Sequence, residues 1–205
     1  MRTERMAAGL AGLLGVVVAG WVGSGPGAVG WPSVISAGAS LGVAAGLLWW
    51  LAEEPPVGGW WFAWVWGGAG ALVLAVGSAL DFALWFTDSR WWTVACHVLA
   101  LALVAQAGGR GGWVGGLRAA LVAHLGATVG ILLTFRLNWG TPEQAAVFQA
   151  AGVLDAYEAT GGADFGGWVT NAFLGSVLPR TIGAMVAGAG LGSGFGWWWK
   201  RISRG

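Results

Sequence analysis

Apolar residues in this chain come in long blocks separated by short polar clusters, with neither the strict alternation of a half-buried strand nor the narrow stripe of a surface helix. The blocks cover 6–24, 31–51, 60–87, 91–108, 113–135 and 180–199. Each reaches the roughly 20 residues, at about 1.5 Å rise, that a hydrocarbon core requires, or falls slightly short of it. Inside lipid a helix satisfies its own backbone polar groups, so such blocks read as membrane-spanning helices. The pattern predicts an all-α, polytopic transmembrane bundle of about six spans, with residues 1–205 forming a single integral membrane domain.

The polar clusters supply the turns. Glu53, Glu54, Pro55 and Pro56 end the second span, because proline lacks an amide proton and disfavours helical geometry in the residue before it. Asp88, Ser89 and Arg90 fold spans three and four into a hairpin, and Gly108, Gly109, Arg110, Gly111 and Gly112 form the turn into span five. Residues 140–164 are the one extended polar stretch. There Thr141 as N-cap, Pro142 at the first helical position and Gln144 at N3 predict a short helix to about Glu158. Val147, Phe148, Ala151, Leu154 and Tyr157 fall on one side of it, so an external amphipathic helix rests on the membrane surface or caps the bundle. Residues 165–178 read as an approach to the last span, interrupted at Pro179, with a single kinked helix as the alternative. Residues 1–5 resemble the charged start of a signal peptide. No A-x-A site follows and the apolar tract runs on into a second span, so the first helix is expected to be retained.

Composition agrees with this class. Only 9% of residues are charged, 57% are hydrophobic and the mean hydropathy is +0.69, where soluble domains carry roughly 25% charge. The 17 tryptophans concentrate at block ends, where indole rings favour the headgroup level. A net charge of +1, with the basic residues scattered, lacks the clustered footprint of a nucleic-acid partner. The single Cys96 excludes an intrachain disulfide and any CxxC pattern. With six spans, Arg2, Arg5, Arg110, Arg118, Lys200, Arg201 and Arg204 fall on one side against Arg90 and Arg136 on the other. Retention of basic residues inside then puts both termini in the cytoplasm, the protein in the cell (inner) membrane, and 140–164 outside.

Three titratable groups interrupt the apolar blocks. Asp81 and His97 lie eight residues either side of Ser89, and His97 and His124 lie at nearly equal distances from Arg110, so all three are expected at one depth. Each has small or polar neighbours one turn away: Gly77 and Ser78, Thr93 and Ala100, Ala120 and Thr128. Such stripes favour a packed interior position. Three readings of this polar layer stand side by side. It is a hydrogen-bonded clamp between helices; or a proton or cation route, since an imidazole with an ordinary pKa near 6.5 exchanges charge near neutrality; or a metal or haem b site with His97 and His124 as ligands. Arg180 either snorkels to the outer interface, the preferred reading, or answers the carboxylate of Asp164 or an anionic ligand. Gly188, Gly192 and Gly196 recur every four residues in the last span, a pattern that lets helices approach closely, within the chain or between subunits.

No GxxxxGK[ST] loop is present, the serine signature of a hydrolase is missing, and only one aspartate lies within a span. The chain is therefore expected to be a non-enzymatic membrane component. The preferred reading is a small transport (permease) component, or a membrane subunit of a larger complex that works with other subunits or with itself. The alternative is a redox subunit holding haem or metal through His97 and His124.

Overall fold

The computed structural model describes residues 2–25, 27, 29–52, 60–83 and 90–202, with the side chains at 2, 60, 81–83 and 90 outside that description. All elements among the described residues are helical: α1 (Arg2–Gly23), α2 (Trp31–Leu51), α3 (Trp60–Ala83), α4 (Arg90–Leu137), α5 (Pro142–Ala150), α6 (Val153–Glu158), α7 (Phe165–Gly175) and α8 (Val177–Ile202). The expected turns at 53–56 and at 88–89 fall outside the described residues, as does the side chain of Asp81.

Among the described residues five stretches are long and apolar enough to cross a membrane: Thr3–Gly23, Trp31–Leu51, Trp61–Leu80, Trp91–Leu137 and Phe165–Ile202. They are compatible with a multi-pass membrane protein, and the distribution of side-chain size points the same way. Leu13, Ile35, Leu72, Val98 and Val186 face outward and are each more than half exposed, whereas Ala8, Ala19, Ala37, Ala44, Ala119 and Ala123 are buried between helices. Lipid solvates the large apolar side chains, and the small ones let the backbones close up.

The fourth stretch, at 47 residues, is more than twice the length that about 20 residues of crossing needs. It is folded. Gly112 has φ 59° and ψ −150°, a region essentially reserved for glycine, and the chain reverses there. A Cβ placed on Gly115 would meet the Ala107 carbonyl oxygen at 2.7 Å, whereas eight residues of straight helix span about 12 Å. The sequence predicts a turn spread over five residues. Instead, helix continues through Gly108 to Gly111, and the reversal is concentrated at Gly112, dividing α4 into a first arm (90–111) and a second arm (113–137).

The second arm is the axis of the bundle, with every residue from Arg118 to Leu125 buried. On one side Leu121, Leu125 and Leu132 pack with Val18 and Val22 of α1 and Leu41 and Leu48 of α2. On the other, Ala119, Ala120 and Ala123 pack with Ala63 of α3 and with Val104 and Ala107 of the first arm. Arg118 donates from Nη2 to the Leu51 carbonyl and so caps the C-terminus of α2. Glu4 lines the same small pocket as Arg118 and Ala52, which puts the start of α1 at the hinge end of α4. Gly196 approaches Gly108 and Gly112, so the end of α8 lies there too. At the opposite end Gly25 approaches Arg136, and Gly27 approaches Asp164 and Gly167.

The last third of the chain departs from expectation in two places. The helix beginning at Pro142 is capped as predicted, with the Gln144 amide donating to Thr141 Oγ1 at 3.2 Å, but it stops at Ala150. Gly152, at φ 67°, then starts a second short helix, because a left-handed residue cannot continue a right-handed one. Phe148 and Tyr157 both turn inward against Phe165, at 5.5 and 5.2 Å between ring centroids, and Gln144 Nε2 donates to the Phe135 carbonyl. Farther on, the break between α7 and α8 falls at Ser176 and not at Pro179. Pro179 sits in the first turn of α8, where backbone amides have no intrahelical acceptor and a missing one costs nothing.

Candidate functional site

Two helix contacts shape the space in the bundle. At the hinge end, α8 lies against α4 through facing glycines: a Cβ on Gly192 would meet the Gly112 carbonyl oxygen at 2.6 Å, and one on Gly188 would meet the Gly116 carbonyl oxygen at 2.9 Å. Gly108, Gly112 and Gly116 repeat every four residues and match the spacing of Gly188, Gly192 and Gly196, so the two stripes face each other. Farther from the hinge, α3 and the first arm of α4 close up at Gly77. There a Cβ would meet Cys96 Sγ at 2.6 Å, and the Trp92 indole donates to the Gly77 carbonyl at 3.0 Å.

Between these contacts lies a cavity of about 440 Å³, within the roughly 300–1,000 Å³ of small-molecule sites. From α3 it is lined by Leu74, Gly77 and Ser78, and from the first arm by Thr93, Cys96 and His97. The second arm contributes Ala123, His124 and Thr128, and Phe173 and Arg180 close it from α7 and the start of α8. His124 stands midway between Gly112 and Leu137 along the second arm.

His97, His124 and Arg180 thus share one cavity, and each has a distinct state. The His97 Nδ1 donates to the Thr93 carbonyl at 2.8 Å. A carbonyl only accepts, so Nδ1 carries the proton of this bond. His124 is buried and engaged at both nitrogens. Thr181 gives its hydroxyl proton to the Val177 carbonyl at 2.9 Å, so His124 Nε2 donates to Thr181 Oγ1 at 2.8 Å. Its Nδ1 then accepts a longer 3.4 Å bond from Thr128. To ligate a metal or haem, His124 would have to surrender one of these bonds. Among the described residues no three His, Cys, Asp or Glu side chains gather as a metal group. The carboxylate of Asp81, carried on α3 one turn beyond Gly77 and Ser78, lies outside the described residues.

The chain matches no family model, no curated protein and no solved structure. The chemistry of the site therefore rests on its own residues.

Arg180 is the third member. Among the described residues no hydrogen bond or ion pair reaches its guanidinium, whose neighbour is the Phe173 ring, 5.8 Å from centroid to Cζ. Asp164 is used elsewhere, accepting from the Gly167 amide at 2.8 Å as the cap of α7. Since Thr181 bonds His124, Arg180 lies level with the midpoint of the second arm, exposed, with its side chain leaning back toward α7. Thr181 and Phe173 carry no sequence signal of their own. A threonine in a helix can satisfy its hydroxyl on the carbonyl four residues back, and a phenylalanine in an apolar block is unremarkable.

Proposed function

We propose that this chain is a six-crossing protein of the cytoplasmic membrane that holds a small ligand halfway across the bilayer, as a transport (permease) component or the ligand-holding subunit of a larger membrane complex. Two features support the six crossings: α4 doubles back at Gly112, and the start of α1, the hinge and the end of α8 share one end of the bundle. That end carries Arg5, Arg110, Arg118, Lys200 and Arg201, which favours a cytoplasmic orientation for it and for both termini. Residues 140–164 then form the outer cap.

The observation that carries the ligand-holding role is the cavity itself, with a guanidinium at its wall that has no counter-charge among the described residues. Placing an arginine at hydrocarbon depth costs about 2.5–3.5 kcal/mol on insertion scales, so such a residue marks a substrate or ion pathway by default. The polar groups are few and the rest of the wall is small or apolar, the usual make-up of a binding site. Energy for movement would come from partner subunits.

Native mass spectrometry of protein released from membranes tests this reading. The wild type is expected to carry a small-molecule adduct that is missing from Ala187→Phe, which places a bulky ring in the cavity wall. An adduct that persists unchanged in Ala187→Phe, or none in either protein, would count against it.

A further inference from the structure

The walls of the cavity are unequal. On the first arm, Thr93, His97 and Leu101 line it and are also exposed at the protein surface, as are Arg180 and Gly183 on α8. Nearer the hinge the same two helices meet closely, Gly108 against Gly192 and Gly196, and Gly109 against the Phe195 ring. The first arm and α8 are therefore pinned together by glycines at one end and part toward the other, and the cavity opens sideways through the gap. Val94, Val98, Ile182 and Val186 flank that gap and face outward, 51–69% exposed, so the opening gives onto hydrocarbon and not onto water.

A ligand entering this way must dissolve in the bilayer, and the one permanently charged side chain that awaits it among the described residues is a cation. The Arg180 guanidinium offers donors in a planar fork suited to carboxylate or phosphate oxygens. His124 is already satisfied, and the remaining polar atoms are the His97 Nε2 and the hydroxyls of Ser78 and Thr93. On the reading that the cavity is the ligand site, we infer that it takes the acidic head of a membrane-dissolved amphiphile, a carboxylate or phosphate on an apolar chain, which enters between the first arm of α4 and α8 and is held by Arg180. The apolar chain then lies along Val98 and Ile182 in the gap.

Equilibrium binding to the full chain in lipid nanodiscs tests this with four radiolabelled probes: palmitate, 1-palmitoyl-glycerol 3-phosphate, hexadecanol and benzoate. Binding of palmitate or the lysophosphatidate is expected to weaken by about tenfold or more in Arg180→Gln, the loss of a charge-assisted hydrogen bond. Arg180→Lys should recover part of it, and Ala187→Phe should abolish it. The two acidic probes separate a carboxylate head from a phosphate head. Specific binding of benzoate alone, or hexadecanol binding as well as palmitate with no effect of Arg180→Gln, would overturn the acidic amphiphile and leave the cavity as a site for another ligand. Binding of every probe unaltered by Ala187→Phe, or no binding at all, would overturn both. Gel filtration and thermal unfolding of each variant confirm that it folds.

Discussion

Gly192 and Gly194 lie two residues apart on α8 and face opposite fates. A methyl at 192 would meet the Gly112 carbonyl oxygen at 2.6 Å and the Trp113 Cα at 2.9 Å, whereas nothing lies within 4 Å of one at 194. Backbone atoms cannot rotate out of the way, so α8 and α4 would have to separate. Gly192→Ala is expected to destabilise the protein by about 1–3 kcal/mol, the range for overpacking. Gly194→Ala should be neutral, or stabilising by up to about 1 kcal/mol through helix propensity. Thermal unfolding in detergent reads both, and equal behaviour of the two variants would contradict the close crossing. At this scale the site was partly legible in the sequence. His97, His124 and Arg180 stand out because a polar group in an apolar block needs a reason, and all three line the cavity. Thr181, which engages His124, is invisible until α8 is laid beside α4, because pairing across helices depends on azimuth and a sequence fixes only depth.

At the scale of elements, the hinge of α4 rests on one residue. Gly112 has open space where a Cβ would sit, so the cost of a side chain there comes from the backbone alone. Its φ and ψ belong to a region that non-glycine residues enter at about 1–3 kcal/mol. Gly112→Ala is accordingly expected to lose that much stability in thermal unfolding, and an unchanged midpoint would show that the reversal lies elsewhere. The helical blocks were legible because hydrophobic length is a strong signal, and α2 runs over the 31–51 expected of it. Breaks were less so. The run from Gly108 to Gly112 invites a loop, but Gly108, Gly112 and Gly116 also keep the four-residue repeat that packs on α8, and helix geometry prevails up to Gly111. Likewise Pro179 draws the eye as a breaker, yet a proline in the first turn of a helix breaks nothing, and the division between α7 and α8 falls at Ser176.

For the whole molecule, the arrangement puts its chemistry in one place. A buried central arm carries His124, glycine contacts hold α8 against it at one end, and the cavity forms where the helices part. Neither the cavity nor its sideways opening was legible in the sequence, since both depend on which helices neighbour each other and how they diverge. Cys96 is the one thiol of the chain and lines that cavity, so its alkylation reports occupancy with no other residue labelled. The decisive measurement is the rate at which a small membrane-permeant maleimide modifies Cys96 in nanodiscs, with and without palmitate or the lysophosphatidate. Occupancy by the acidic amphiphile is expected to slow labelling of the wild type by about tenfold, and that of Arg180→Gln by no more than about twofold at the same concentration. A rate indifferent to both amphiphiles, or slowed equally in wild type and variant, would contradict a cavity that holds its ligand through Arg180.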